Sequence, residues 1–396
     1  MSFLKFDMEK CTLCGVCVRQ CPFQGLTIES DGIQVNDKCR LCKLCIKNCP
    51  QDAIILEQKS DAFDKSEWRD FLIYAEQVQG EVHPVVSELI GEARKMAAKA
   101  GFKVHAVLAG GPGTRENADR LLRWGVDTVY VYEHEELAAF RSDVYTDVLA
   151  DLISEIRPCS VLIGGTALGR SLAPRLSTRF HTGLTADCTT LDILENTDMV
   201  QIRPAFGGNI MAQIAISHSR PQFATVRYRV LDRAKPVEQI TGKVVIRPIP
   251  ERMMDSRIRV IKAEPIKRVR TIEEEDILVV AGRGVKNENG VELCRKLAEA
   301  LGGQLAFTRP MVENGFGDQP HQIGLSGRTV RPKLIITCGV SGAIQFTTCM
   351  TGSECIVAIN NDPEAQIFKV AHYCIRGDLF DVVPALTRLV ENRKED

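Results

Sequence analysis

Cys11-Thr-Leu-Cys14-Gly-Val-Cys17-Val-Arg-Gln-Cys21-Pro22 opens the chain, and Cys39-Arg-Leu-Cys42-Lys-Leu-Cys45-Ile-Lys-Asn-Cys49-Pro50 repeats its spacing 28 residues later. Each run gathers three thiols and sets a fourth beside a proline. Thiolates are soft ligands that select zinc or iron–sulfur clusters. One such run alone leaves a zinc site or a disulfide scaffold open. Two runs in register, each closing in Cys-Pro, favour a pair of iron–sulfur cubanes, with three close thiolates on one face of a cube and a distant one closing the other. The proline turns the chain away after that last ligand and withholds an N–H there.

The repeat extends past the cysteines, with Leu26-Thr-Ile answered by Ala53-Ile-Ile. Neither half can bury a core alone, so bound metal must substitute for one. The paired runs resemble the two-cluster bacterial ferredoxins, in which the fourth cysteine of each run ligates the opposite cluster. The resemblance implies one [4Fe-4S] cluster on Cys11, Cys14, Cys17 and Cys49, and a second on Cys39, Cys42, Cys45 and Cys21. This ferredoxin-type α+β module is expected to span residues 1–58. The polar stretch from Lys59 to Glu67 reads as a linker or a short connecting helix.

At 396 residues the chain is too long for one ordinary core. Its 50 Lys and Arg balance 51 Asp and Glu, so no global field points to nucleic acid or an anionic membrane. Aromatic content of 6% also argues against base-stacking platforms. No apolar run approaches the roughly 20 residues that span a bilayer, and the first residues lack the features of a signal peptide. The expectation is a soluble cytoplasmic protein. Seven further cysteines (Cys159, Cys188, Cys294, Cys338, Cys349, Cys355 and Cys374) have no ligand spacing and read as small buried hydrophobes in a reducing compartment.

From Trp68 onward strands and helices alternate. Phe71–Tyr74, Val104–Ala109, Thr128–Tyr132 and Ser160–Ile163 read as strands. Val86, Leu89, Ile90, Ala93 and Ala97 follow helical spacing up to Gly101, and Val144–Ile156 is a further helix. The alternation stops near Arg247-Pro-Ile-Pro250. The charged stretch Ile266–Asp276 reads as an inter-domain linker. A second series then begins, with strands at Ile277–Ala281, Leu334–Cys338 and Ile356–Asn360 and a final helix at Pro384–Leu389. The fold class is α/β: two doubly wound parallel-sheet domains, Rossmann-like or flavodoxin-like, expected at 68–262 and 272–396.

Ligands of such sheets collect at the carboxyl ends of strands. In the last domain those ends carry Gly282-Arg283-Gly284, Gly339-Val-Ser341-Gly342-Ala343, Asn360 with Asp362, and Asp378. Neither Gly-x-Gly-x-x-Gly nor a Walker sequence is present. Several long motifs in order resemble the alpha subunit of electron-transfer flavoproteins: Gly282-Arg-Gly284, Thr308-Arg309, Ile323-Gly-Leu-Ser326-Gly-Arg, Gly339-Val-Ser-Gly-Ala-Ile-Gln345, Ala358-Ile-Asn360-Asn-Asp-Pro-Glu364 and Asp378-Leu379. The middle domain joins through Thr182-Gly-Leu-Thr-Ala-Asp187-Cys188-Thr and Arg203-Pro-Ala-Phe-Gly-Gly-Asn209. The cysteine module is an addition that resembles extensions of alpha subunits in some electron-bifurcating systems.

The resemblance implies FAD held by Arg283, Thr308, Arg309, Ile323, Gly324, Leu325, Ser326, Ser341, Gly342, Ala343, Ile344, Gln345, Phe346, Asn360, Asp378 and Leu379. Arg309 would lie against the flavin ring, where a fixed cation favours negative charge. Ser326 stands where the family usually has Thr, and its hydroxyl still donates. Arg283 and the amides of 341–345 would hold the pyrophosphate, and Asn360 and Asp378 the adenosine half. The family commonly has His after Gly-Ala-Ile-Gln; this chain has Phe346, which donates no hydrogen bond. The implied partners are an electron-transfer flavoprotein beta subunit with a second FAD and NADH, an external ferredoxin, and a flavin dehydrogenase of acyl-CoA or hydroxy-acid type. The middle domain would face the beta subunit, so Gly164-Gly165-Thr-Ala-Leu-Gly169-Arg170 reads as structural rather than as a second phosphate cradle. His181 and His218 read as surface or capping residues. No nucleophile constellation is evident, and no catalytic residue is expected.

Overall fold

Leu13, Gly15 and Gln24 have positive φ angles of 51°, 71° and 52°, and 28 residues later Leu41, Lys43 and Asp52 repeat them at 50°, 65° and 48°. The backbone therefore carries the same two-fold repeat as the cysteines. The computed structural model describes residues 2–29, 32–36, 38–39, 41–58, 64–78, 80–205, 210–264 and 271–395. Most of the Lys59–Glu67 linker, Phe206–Asn209 of the middle motif and residues 265–270 of the charged stretch lie outside the described residues. The described chain forms two compact units, Met1–Asp64 and Lys65–Asp396.

In the first unit, Val16–Arg19 and Leu44–Lys47 are single helical turns, each following a left-handed residue. Strand Ser2–Phe6 pairs antiparallel with Ile54–Gln58, and Leu26–Glu29 with Gly32–Val35. The buried core consists of Leu4, Cys17, Leu26, Cys45 and Ile54. Two of those five are proposed ligands, so most of the ordering must come from what the thiols bind.

The second unit contains two parallel sheets. Seven strands lie in the order Leu184–Cys188, Gln222–Val226, Ser160–Gly164, Phe71–Tyr74, Val104–Gly110, Thr128–Glu133 and Lys243–Ile246. Helices Val85–Ala100 and Ala118–Arg123 cover one face, and Ser142–Ile156 and Ala167–Arg179 cover the other. Gly101, at φ 66°, ends the first of these helices as its spacing predicted. The second sheet has six strands: Gln322–Ile323, Gln304–Thr308, Ile277–Ala281, Leu334–Cys338, Cys355–Asn360 and Tyr373–Arg376.

Three features depart from the sequence reading. Thr190–Ile193, Met199–Ala205 and Ile210–Ala215 form an antiparallel three-stranded sheet that interrupts the alternation. The described end of the charged linker is packed rather than loose, because Ile272 inserts into the core. The last helix spans Leu379–Glu395, with Pro384 inside it rather than at its start. Asp378 caps it by accepting from the Phe380 amide at 3.0 Å. Of the seven scattered cysteines, Cys159, Cys188, Cys294, Cys338 and Cys349 are buried as expected, whereas Cys355 is half-buried and Cys374 is exposed. His181 and His218 are both exposed. Among the described residues no helix is long and apolar enough to cross a membrane.

Candidate functional site

The first unit encloses two small hollows. Cys11, Cys14, Cys17 and Cys49 line one, with Gly15, Ile33, Pro50 and Ile54. Cys39, Cys42, Cys45 and Cys21 line the other, with Leu4, Phe23, Leu26 and Leu44. In each hollow the fourth cysteine comes from the opposite run. The two crossing thiols share a further contact: the Gly25 amide donates to Cys21 Sγ at 3.3 Å, and the Ala53 amide to Cys49 Sγ at 3.4 Å. Such N–H···S bonds hold a ligand in place and tune a cluster's potential. Among the described residues no three His, Cys, Asp or Glu side chains close around a single ion. Four thiols per hollow are the ligand count of a [4Fe-4S] cluster.

In the six-stranded sheet the chain starts at Ile277–Ala281, proceeds outward through Gln304–Thr308, then crosses back to Leu334–Cys338 on the other side. This reversal is a topological switch point, where open α/β sheets bind their ligands. A cavity of about 750 Å3 opens there. Its wall includes twelve of the sixteen residues expected to hold FAD: Arg283, Thr308, Arg309, Ile323, Gly324, Leu325, Ser326, Ser341, Ala343, Gln345, Phe346 and Asn360.

Four expected residues do not line the cavity. Gly342, at φ 87°, packs so closely on Ile367 that a Cβ would lie 2.0 Å from its amide nitrogen. Ile344 points to solvent, and Leu379 belongs to the core. Asp378 is exposed and serves as the helix cap described above. Lys286 and Pro310 line the cavity without having been singled out. Lys286 follows Gly282-Arg-Gly284 by two residues, so a cation near a phosphate-binding turn was the available signal.

The glycines serve packing as well as ligand approach. Gly282 and Gly284 lie against Gly339, where a Cβ on Gly282 would come within 2.5 Å of the Gly339 carbonyl. The Gly284 amide donates to that carbonyl at 2.9 Å and is already satisfied. The amides of Ser341, Gly342, Ala343, Ile344 and Gln345 donate to no protein acceptor among the described residues. Successive free amides of this kind form an anion-binding nest. Arg283 and Lys286 supply exposed cations on the facing turn. This donor set fits a pyrophosphate.

Around the apolar part of the cavity, Gln322 Nε2 donates to Ser326 Oγ at 2.9 Å, leaving the hydroxyl hydrogen free to donate onward. Arg309 Nε pairs with Glu313 at 2.7 Å and is largely exposed. Asn360 Nδ2 donates to the Val340 carbonyl at 2.8 Å, and its Oδ1 accepts from the Asp362 amide at 3.0 Å. Asn360 therefore ties two loops of the cavity together.

The corresponding switch point of the seven-stranded sheet is filled instead. Glu76, at the end of the first strand, is buried and accepts from Thr166 Oγ1. Thr166 also caps helix Ala167–Arg179 by accepting from the Gly169 amide at 3.0 Å. Burial pushes the Glu76 carboxyl up to about 7, against the lowering effect of the Thr166 bond. A Cβ on Gly169 would lie 2.0 Å from the Gly164 carbonyl. The Gly164–Arg170 run is a packed strand-to-helix turn.

Fold and site together define a flavin-binding α/β protein with an iron–sulfur module. Sequence comparison matches the same three modules. The electron transfer flavoprotein domain matches residues 71–251, and the electron transfer flavoprotein FAD-binding domain matches residues 271–351. 4Fe-4S binding domains match residues 4–27 and 36–52. The chain is 47% identical to the lactate dehydrogenase (NAD(+),ferredoxin) subunit LctC of Acetobacterium woodii, over 94% of this chain and 89% of that one. It is 43% identical to the electron transfer flavoprotein subunit alpha of Thermoanaerobacterium thermosaccharolyticum, over 83% of this chain and all of that one. It is 36% identical to the acryloyl-CoA reductase electron transfer subunit beta of Anaerotignum propionicum, over 84% and 98%. The chain belongs to the electron transfer flavoprotein alpha-subunit family, and its cofactors are FAD and two [4Fe-4S] clusters.

Proposed function

We propose that this chain is the alpha subunit of an electron-bifurcating complex in the cytoplasm. Residues 1–58 carry the clusters, 68–262 face an electron-transfer flavoprotein beta subunit, and 272–396 hold FAD. A hydride from NADH is taken up at the beta subunit, and its two electrons part: one goes to a flavin dehydrogenase and the other, at low potential, to an external ferredoxin. NAD+ and a proton balance the step. When bound, FAD supplies a centre that takes electrons singly or in pairs, and the cubanes relay single electrons.

The observation that carries this reading is the pairing, on one chain, of two crossed four-cysteine hollows with a switch-point cavity sized for a dinucleotide. The chain's own residues would bind and orient. The amides of 341–345 with Arg283 and Lys286 hold the pyrophosphate. Arg309 sets positive charge beside the ring, and Ser326, fixed by Gln322, donates a hydrogen bond to it. Asn360 holds the loops at the adenosine end, with Asp378 and Leu379 contributing through the start of their helix.

For the partner dehydrogenase, a hydroxy-acid enzyme is the reading the relatives favour. The Acetobacterium subunit, named for lactate, NAD+ and ferredoxin, aligns over a span too long to leave out the first 64 residues. The acryloyl-CoA reductase subunit supports an acyl-CoA partner as the second reading.

The test is NADH-dependent ferredoxin reduction by the assembled complex, with and without the dehydrogenase's high-potential acceptor. Bifurcation requires ferredoxin to be reduced only when that acceptor is present. Equal rates without it would mean a plain conduit from ferredoxin to the dehydrogenase. A flavin that never cycles under rapid mixing would leave only a redox-sensing role.

A further inference from the structure

A second cavity, of about 450 Å3, opens at the seam between the two sheet domains of the larger unit. Leu325 lines both this cavity and the flavin cavity. Among the described residues its wall carries Arg203, Arg227, Arg229 and Arg331 against a single carboxylate, Asp187. Four threonines line it as well. Donors therefore far outnumber acceptors in a concave, half-sheltered space.

The arginines differ in how fully they are occupied. Arg227 Nη2 donates to Asp187 Oδ2 at 3.0 Å and to the Leu325 carbonyl at 3.1 Å. Arg331 is the most occupied, reaching the carbonyls of Val230, Leu231 and Gly352 at 3.5, 3.4 and 3.4 Å and pairing with Asp232 Oδ1 at 3.4 Å. Arg203 Nε donates to the adjacent Pro204 carbonyl at 3.3 Å. Arg229 has no acceptor for its Nε, which is shut off from solvent, and its guanidinium carbon stands 5.3 Å over the Tyr228 ring. Asp187 Oδ1 is also enclosed and without a donor. Buried polar atoms without partners cost free energy, and charged ones cost the most.

The backbone holds Arg229 in place at some expense. Its φ of 66° is a left-handed conformation that side-chain-bearing residues rarely adopt. The buried Glu88 carboxylate fixes it by accepting the Arg229 amide at 3.0 Å and the Leu231 amide at 3.4 Å. Strain that the surrounding structure maintains is a mark of ligand sites.

We propose that this seam cavity binds a small phosphate-bearing anion that also carries a hydroxyl. The phosphate oxygens accept from Arg229 and Arg203, and the hydroxyl donates to Asp187 Oδ1. The space exceeds what a bare phosphate fills, which leaves room for the hydroxyl-bearing portion. Arg227 links this site to the flavin cavity through the Leu325 carbonyl, next to Ser326.

Calorimetric titration of the FAD-loaded full chain, alone and paired with its beta subunit, tests the proposal with two ligands, inorganic pyrophosphate and glycerol 3-phosphate. Both should bind at one saturable site. Arg229→Gln should weaken both by about tenfold or more while flavin content is unchanged. Arg203→Gln provides a second reading should the first variant fail to fold. Asp187→Asn should weaken glycerol 3-phosphate more than pyrophosphate. Absence of saturable binding, or wild-type affinity in the arginine variants, overturns the proposal. So does an affinity lost in Arg283→Gln instead, which would place the anion in the flavin cavity. Binding by the free chain but not by the complex overturns it too, because the partner subunit would then cover the seam.

Discussion

Phe346 is almost fully buried, and its ring both lines the flavin cavity and packs into the core beneath it. An aromatic hydrocarbon at that spot offers no donor to negative charge arriving on the cofactor. Phe346→His would supply one. A hydrogen bond to a charged group contributes about 1.5–3 kcal/mol, so the flavin potential should rise by about 60 mV or more for a one-electron step. Spectroelectrochemistry of the two proteins measures this, and an unchanged or lowered potential in the variant sinks the idea. Glu76 makes a separate residue-level argument. Its carboxyl is raised to about 7 in the folded chain against 4.5 for a free one, so the folded state binds the proton more tightly than the unfolded state. Stability is therefore unaffected by Glu76 below about pH 4.5 and falls as pH climbs from there through 7, by up to about 3 kcal/mol. Glu76→Gln should remove that decline. Denaturant midpoints of wild type and variant should converge below about pH 4.5 and separate by pH 8, with the variant the more stable; parallel curves would refute the assignment.

At the scale of elements, the cysteine module is two copies of one turn pattern that are not interchangeable. Gly25 and Ala53 occupy equivalent positions, four residues past the crossing cysteines, and each donates its amide to that cysteine's sulfur. Yet a methyl on Gly25 would lie 2.7 Å from the Cys39 Cα and 2.8 Å from its nitrogen, whereas Ala53 is fully buried with its methyl accommodated. Gly25→Ala should displace Cys39 and cost the chain one of its two clusters, seen as a loss of roughly half the bound iron and sulfide. Ala53→Gly should retain both, and equal loss from the two variants would contradict the asymmetry. The sequence makes the ligands and their repeat legible because cluster chemistry needs thiols at fixed spacing. It does not disclose that Lys43 takes the left-handed turn that Gly15 takes in the first half, at a strain of about 1–2 kcal/mol. The long buried strands were legible as apolar runs. The sheet of Thr190–Ile193, Met199–Ala205 and Ile210–Ala215 was not, because Asp192, Gln201, Arg203 and Gln213 break its apolar residues into pieces of three or fewer, and Ile210–Ala215 is nowhere fully buried. The edge strand Lys243–Ile246, half-exposed or exposed along its whole length, is a further strand outside the sequence-based expectation. In the flavin cavity the motif residues stood out, whereas Gln322, which sets the Ser326 hydroxyl, is an ordinary polar residue until the fold brings the two side chains together.

For the whole molecule, the decisive fact is how unevenly the apolar core is distributed. Among its described residues Met1–Asp64 has six buried apolar side chains, Leu4, Cys17, Leu26, Cys45, Ala53 and Ile54, two of them cysteines of the cluster sets. Lys65–Asp396 has four separate clusters of buried side chains, one on each face of two parallel sheets. The larger unit has what an independent fold requires and the smaller one does not. A chain beginning at Lys65 should therefore fold, melt cooperatively and bind FAD, because every residue lining the flavin cavity lies beyond Gly282. Its iron content should be nil. The same truncation should abolish ferredoxin reduction by the assembled complex while leaving NADH-dependent flavin reduction in place. The complementary treatment, chelating iron from the full chain, should unfold only the first unit, since its thiols lose the bound body that orders them. Circular dichroism and flavin fluorescence after chelation would register a small loss of structure with the flavin retained. A truncated chain that is insoluble or cannot hold FAD, or a flavin released on chelation, would mean that the two units depend on each other for stability, and the cluster module would then be part of the scaffold.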